Sequence, residues 1–230
     1  MAIVYTKAEL LEKVDEYLTP ENVSKLYAQD FIIYTGVTAD TKEPYTEVVA
    51  ERLLSNLTVF ESIKSITRES SYKTAGHKWQ PIDSSSPRSE EQIARSMMDQ
   101  TYNYIGKIID YQTPLKNVLG DEAGKIDLLS CNEAERRVYI LEFKAQDSKE
   151  TLLRCVLEAY TYGRIVNTKK LLKDFGHKDF TLRKAVLVYE RSRPYTDFDN
   201  PIIKKLMRAL GVDLFVLNSD NQIVEAHYYG

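Results

Sequence analysis

Apolar residues recur at helical spacing through the first quarter of the chain. In KAELLEKVDEYL, residues 7–18, Leu10, Leu11, Val14 and Leu18 fall on one face and Pro20 follows as a stop, which predicts a helix. A second helix is expected from about Glu21 to Gln29, FIIYTG at 31–36 reads equally as a strand or a helix end, and TEVVAERLLSNLTVFESI, 46–63, repeats the helical pattern. The segment 71–88 carries Gly, two prolines and a serine run and reads as a loop. Ser89 is placed to cap the next helix, with Gln92 completing a capping box, and Ile93, Ala94, Met97, Thr101 and Tyr104 follow on one face.

The period then changes to that of strands. KIIDYQTPL at 107–115, KIDLLSC at 125–131 and VYILEFKA at 138–145 read as strands, and NEAERR supplies a hairpin turn between the last two. A helix at 149–166, a strand at 183–189, a helix at 201–210 behind Pro201 and strands at 212–218 and 222–229 complete the series. This order predicts an α/β sheet with helices packed on it. The expected division is a helical N-terminal extension or cap over 1–70, a linker over 71–88 and a sheet domain over 89–230.

Composition narrows the class without naming an activity. A chain of 230 residues with 43% hydrophobic and 28% charged residues is expected to fold throughout, which excludes collagen-like and disordered classes. Cys131 and Cys155 have no Cys-x-x-Cys partner, so neither a zinc knuckle nor a disulfide framework is expected. The short apolar run at the start gives no signal peptide and no spanning segment, hence an expected cytoplasmic setting and no membrane partner. Net charge is −3, yet residues 1–62 hold 5 basic against 11 acidic residues, leaving 26 basic against 23 acidic in the rest. That split permits a phosphate-bearing partner for the second part.

The chemistry lies in GKIDLLSCNEAERRVYILEFK, residues 124–144, where Asp127, Glu142 and Lys144 interrupt runs that otherwise read as interior sheet. An unpaired buried charge costs several kcal/mol or more, so such groups are paired, hydrated or hold a cation. Alternation places Val138, Ile140, Glu142 and Lys144 on one side of their strand, and the hairpin brings Asp127 alongside. Two carboxylates and an amine converging at one point suit phosphodiester hydrolysis, the acids holding Mg²⁺ through hard oxygen ligands. Burial would lower the pKa of Lys144 and adjacent carboxylates would raise it, so its protonation state stays open at this level.

This pattern, an Asp in GKID127, a hairpin, then Glu142-x-Lys144 in a hydrophobic strand with a helix on either side, resembles the PD-(D/E)XK nuclease superfamily over about residues 88–190. The resemblance implies a restriction-endonuclease-like core, a central mixed sheet flanked by helices, and a Mg²⁺-dependent nuclease acting on DNA, with Mn²⁺ as a substitute. It implies that Asp127 and Glu142 bind the metal, the Phe143 carbonyl adds a ligand, Lys144 serves catalysis and Glu90 completes the acidic cluster, with Glu91 the alternative. Two departures stand out: no proline precedes Asp127, and the helix after Lys144 reads LLRCVLEAYTYGRIV without an evident polar face toward the site. Leu152, Val156, Ala159 and Gly163 form its expected buried stripe, leaving Arg154 as a phosphate contact or as half of a solvated pair with Glu158.

Competing signals are weaker. Asp147-Ser148-Lys149 copies the motif but lacks an apolar frame, and Asp110 in GKIID is expected at a strand end. Trp79, beside His77 and Lys78, is read as anchoring its loop, with base stacking the functional alternative. His77, His177 and His227 are scattered and read as surface or packing residues. A binding module that keeps the fold without activity is the alternative function, and the N-terminal helices are a candidate surface for a homodimer or a partner protein.

Overall fold

The structure, a computed structural model, describes residues 4–82, 89–116 and 124–230. Its centre is a mixed sheet of seven strands among the described residues, in the order β1 (Thr101–Tyr102), β2 (Gly106–Pro114), β3 (Lys125–Asn132), β4 (Arg137–Phe143), β5 (Thr181–Tyr189), β6 (Val212–Leu217) and β7 (Ile223–His227). The strands β1 to β4 form an antiparallel meander, β4, β5 and β6 run parallel, and β7 returns antiparallel. Parallel neighbours need helical crossovers. The first crossover carries α5 (Leu152–Ile165) and α6 (Thr168–Asp174), and the second carries α7 (Arg193–Asp197) and α8 (Pro201–Leu210). The protein is therefore an α/β fold with helices flanking a seven-stranded mixed sheet.

Both faces of the central strands are apolar because both are covered. On one face Tyr139, Leu141, Phe143 and Phe215 pack with Ala94 and Met97 of α4 (Ser89–Met97). On the other, Val186, Val188, Leu214 and Val216 join α5, α8 and the N-terminal helices in one continuous cluster. Those helices are α1 (Lys7–Tyr17), α2 (Asp30–Ile33) and α3 (Tyr45–Leu54). Thr6 caps α1 through a reciprocal exchange with Glu9. Asn200 caps α8, accepting from the Ile202 N–H at 2.8 Å, while its amide reaches Glu47 of α3 at 2.6 Å.

Several expectations need correction. Residues Val23–Ala28 form a 3₁₀ helix rather than an α-helix, and 31–36 resolves as the end of α2. The expected 46–63 helix breaks after α3 and resumes as a 3₁₀ helix over Leu57–Ser62. The Ser55 hydroxyl and Asn56 amide turn back to the Glu51 and Arg52 carbonyls, which competes with continuing the helix. Helix α4 ends at Met97, and Thr101 lies in β1 instead of on its face. The helix begins with Ser89 itself, whose side chain lies outside the described residues, as do residues 83–88 of the expected linker. Strand β1 and helices α6 and α7 are additional to the expected elements.

Candidate functional site

Strand β4 is the switch point of the sheet, antiparallel to β3 on one side and parallel to β5 on the other. At its carboxyl end the β3–β4 ladder stops at Leu128 opposite Leu141, and one step further along the same register Asp127 faces Glu142. Asp127 therefore turns inward to the backbone that the ladder no longer pairs: its Oδ2 accepts from the Phe143 N–H at 3.1 Å and its Oδ1 from Gln112 Nε2 at 3.1 Å. A residue's N–H and C=O leave a strand on the same edge, so the Phe143 carbonyl leaves β4 on the β3 side.

Lys144 follows one residue beyond β4 with its side chain 6% exposed, beside Glu142 at 3%. Its Nζ lies 2.8 Å from Glu142 Oε1, 3.2 Å from Glu150 Oε2 and 3.6 Å from Glu90 Oε2. Glu90, in the first turn of α4, also accepts from the Ala145 N–H at 3.3 Å. Glu91 pairs with Arg95, and it is Glu90 that meets Lys144 and the Ala145 N–H.

The α5 helix supplies what the sequence reading missed. Glu158 is buried, accepts from the Tyr162 hydroxyl at 2.9 Å and lies 3.2 Å from Arg154 Nη2, while Arg154 Nη1 pairs with Glu150. Arg154 and Glu158 are thus not a solvated pair. The reason is that α5 has no open face, since Tyr27 from the N-terminal 3₁₀ helix stacks edge-on against Tyr162 with ring centroids 5.7 Å apart. The polar face missing from the helical wheel is therefore present, hidden inside a helix that is covered all round. Gly124, ahead of β3, lies against the Tyr162 hydroxyl, and a β-carbon there would overlap it.

The electrostatics follow from this packing. Burial, and then the charges of Asp127 and Glu158, push the Glu142 carboxyl well above its ordinary range. Burial likewise raises Asp127, with Lys144 and the Phe143 N–H pulling back, to about 6 from 3.8. Burial alone would lower Lys144, but Glu142, with Asp127 and Glu150 contributing less, outweighs it and holds the ammonium well above its usual value. The acids around Lys144 therefore favour its ammonium form over the neutral amine.

Asp110 is not at a strand end: it is buried within β2, held by Thr113 Oγ1 at 2.7 Å and His77 Nδ1 at 2.6 Å. Trp79 is 50% exposed and does not bury itself to anchor its loop. The loop is tied down instead by His77, which also stacks on Tyr111 at 4.4 Å. No helix among the described residues is long and apolar enough to cross a membrane. Comparison of the chain with protein-family models, curated proteins and solved structures finds no match.

Proposed function

We propose that this protein is a metal-dependent nuclease hydrolysing phosphodiester bonds of DNA, with a restriction-endonuclease-like core and the cluster around Lys144 as its centre. The observation that carries the proposal is a charge imbalance: five carboxylates, of Asp127, Glu142, Glu90, Glu150 and Glu158, surround two cations, Lys144 and Arg154. Were all five ionised, three negative charges would be in excess; the upward shifts of Glu142 and Asp127 are one answer to that excess and a bound cation is the other. The donors that β3 and β4 bring to one edge, the Asp127 and Glu142 carboxylates and the Phe143 carbonyl, are all hard oxygen, the ligand type Mg²⁺ or Mn²⁺ takes, while Lys144 Nζ lies on Glu142 and, among the described residues, no three acids of the cluster each place an oxygen within 4.8 Å of the others. When bound, such an ion polarises the scissile phosphate and lowers the pKa of the attacking water.

The chain's own residues do the rest. Asp127 is held in place by two hydrogen bonds, so its donor direction is set before any ligand arrives. Lys144 orients Glu142 and presents positive charge where negative charge develops on the phosphate. With its ammonium form favoured by the surrounding acids, Lys144 acts electrostatically in this reading. Glu90 and Glu150, the more exposed members, flank the solvent side of Lys144. Arg154 is engaged by Glu150 and Glu158, so it positions these acids rather than reaching for phosphate.

A second reading, a structural ion-pair cluster in a fold used for binding, is favoured by the three carboxylates that pair with Lys144. Incubation of single-stranded, duplex and branched DNA, with RNA in parallel, in Mg²⁺ or Mn²⁺ separates the two. Cleavage by the wild type that falls by roughly 100-fold or more in Lys144→Ala and Asp127→Asn supports the nuclease. Equal traces of cleavage in all three proteins, with both variants folded, would leave the structural reading.

A further inference from the structure

At the far end of β3 from Asp127, three metal-ligating groups meet. Cys131 Sγ lies 3.5 Å from Glu133 Oε1 and 3.8 Å from His177 Nδ1, and the His177 and Glu133 atoms are 3.6 Å apart. These residues come from two places in the chain: β3 and the turn that follows it, and the loop after α6. The separations can be compared with those a metal imposes. Tetrahedral zinc, with bonds of about 2.3 Å to sulfur and about 2.0–2.1 Å to nitrogen or oxygen, spaces its ligands by about 3.5 Å across S···N and S···O and about 3.4 Å across N···O. The observed triangle is one face of that tetrahedron to within a few tenths of an ångström.

Two of the three groups are also fixed in advance. Cys131 is buried in the sheet, paired with Lys107 of β2 on one side and Val138 of β4 on the other. The His177 backbone donates to the Leu172 carbonyl at 2.8 Å and accepts from the Phe180 N–H at 2.9 Å, and its ring packs on Phe180 at a centroid distance of 4.9 Å. Glu133 is the exposed member, its side chain 71% accessible to solvent. Among the described residues no fourth His, Cys, Asp or Glu joins the set, which leaves one tetrahedral position for water.

We infer that Cys131, Glu133 and His177 form a second metal site, for Zn²⁺ or a similar thiophilic divalent ion, distinct in place and in ligand chemistry from the oxygen-lined cluster at Lys144. A thiolate and an imidazole select zinc over magnesium, whereas an all-oxygen set favours the reverse. The bound ion would join the β3–β4 hairpin to the loop between α6 and β5. The inference does not depend on nuclease activity.

The test is metal uptake by the intact chain in a large excess of Mg²⁺. Zinc competition against a chromogenic chelator should give one tight site, and Co²⁺ in its place should give the d–d bands of a tetrahedral ion and a thiolate-to-metal charge-transfer band. Cys131→Ser should abolish the charge-transfer band, and His177→Ala should weaken zinc by more than the roughly 10–100-fold that loss of an outer-shell partner costs. Because Cys131 is buried and its variant can misfold, Glu133→Gln at an exposed position serves as the second probe and should also weaken zinc. Asp127→Asn should leave zinc and cobalt signals unchanged. Absence of a tight site in the wild type, a cobalt spectrum without the thiolate band, or a folded Glu133→Gln with undiminished affinity would each overturn the assignment.

Discussion

Neutralising Asp127 should make the protein more stable, and only above the pH at which that carboxyl ionises. Burial first, then the nearby charges of Glu158 and Glu90, outweigh Lys144 and the Phe143 N–H and leave the folded-state pKa at about 6, against an ordinary 3.8. The native state thus binds this proton more tightly than the unfolded chain does. Between about pH 4 and 6 the folded form carries more protons, so its stability falls as pH rises through that window and stays reduced above it. Full ionisation costs about 3 kcal/mol at 1.36 kcal/mol per pH unit. Asparagine removes that cost, but it offers one carbonyl oxygen to the two donors, Phe143 N–H and Gln112, and loses about 1 kcal/mol with the second bond. Asp127→Asn should therefore gain about 2 kcal/mol at pH 7.5, or roughly 4–8 °C in Tm for a chain of this size, and nothing or a slight loss at pH 4. Urea unfolding in a chelator at both pH values measures the difference directly. A variant less stable than wild type at pH 7.5, or an equal gain at both, would refute the account of Asp127 as a strained anion. Added Mg²⁺ should then close the gap by stabilising the wild type alone.

Other consequences can be checked in the same way. Asp213 is fully buried and holds Arg183 at 2.6 Å and the Tyr229 N–H at 2.7 Å, so Asp213→Ala strands a guanidinium and should cost about 3–5 kcal/mol in urea unfolding. Asn200→Ala removes both the α8 cap and the link to Glu47, and a loss of about 1–2 kcal/mol is expected from the same measurement. Lys184 is pushed down to about 8, chiefly by burial and then by Arg164 and Arg183, so the native state releases its proton sooner than the unfolded chain. Its contribution to stability should rise from about pH 8 to 10.5, and any gain in Lys184→Met at pH 7 should shrink by pH 10 when thermal scans are compared.

What the sequence made legible is what depends on neighbours close along the chain. The β3–β4 hairpin and its register follow from alternation across a short turn, and that register alone carries Asp127 to Glu142. Helix α8 announces itself by Asn200, Pro201 and a regular apolar stripe. Helix α6 does not, because seven residues with three lysines leave only Leu171 and Leu172 buried. The sidedness of α5 is hidden from its sequence for a different reason. Its own periodicity cannot report that Tyr27 and the N-terminal helices cover the outer face, and that covering is what drives Arg154 and Glu158 into the cluster. Cys131 and His177 are 46 residues apart, and nothing local to either one signals the other.

The two readings of the Lys144 cluster differ in what each substitution does to folding. If the cluster exists to hold the fold together, every member contributes, and neutralising any carboxylate should weaken the protein along with removing the lysine. The electrostatics argue for an asymmetric outcome. Lys144 is outnumbered by the acids around it, so its removal leaves Glu142 buried and unpaired, at a cost of about 3–5 kcal/mol. Asp127 and Glu142 are each raised above their ordinary range, which means each destabilises the native state while ionised. An arrangement in which the cation supports the fold and the anions strain it is poor as a structural clamp and well suited to receive further positive charge. A set of stability measurements without any nucleic acid present can therefore reject the structural reading before a cleavage assay is run.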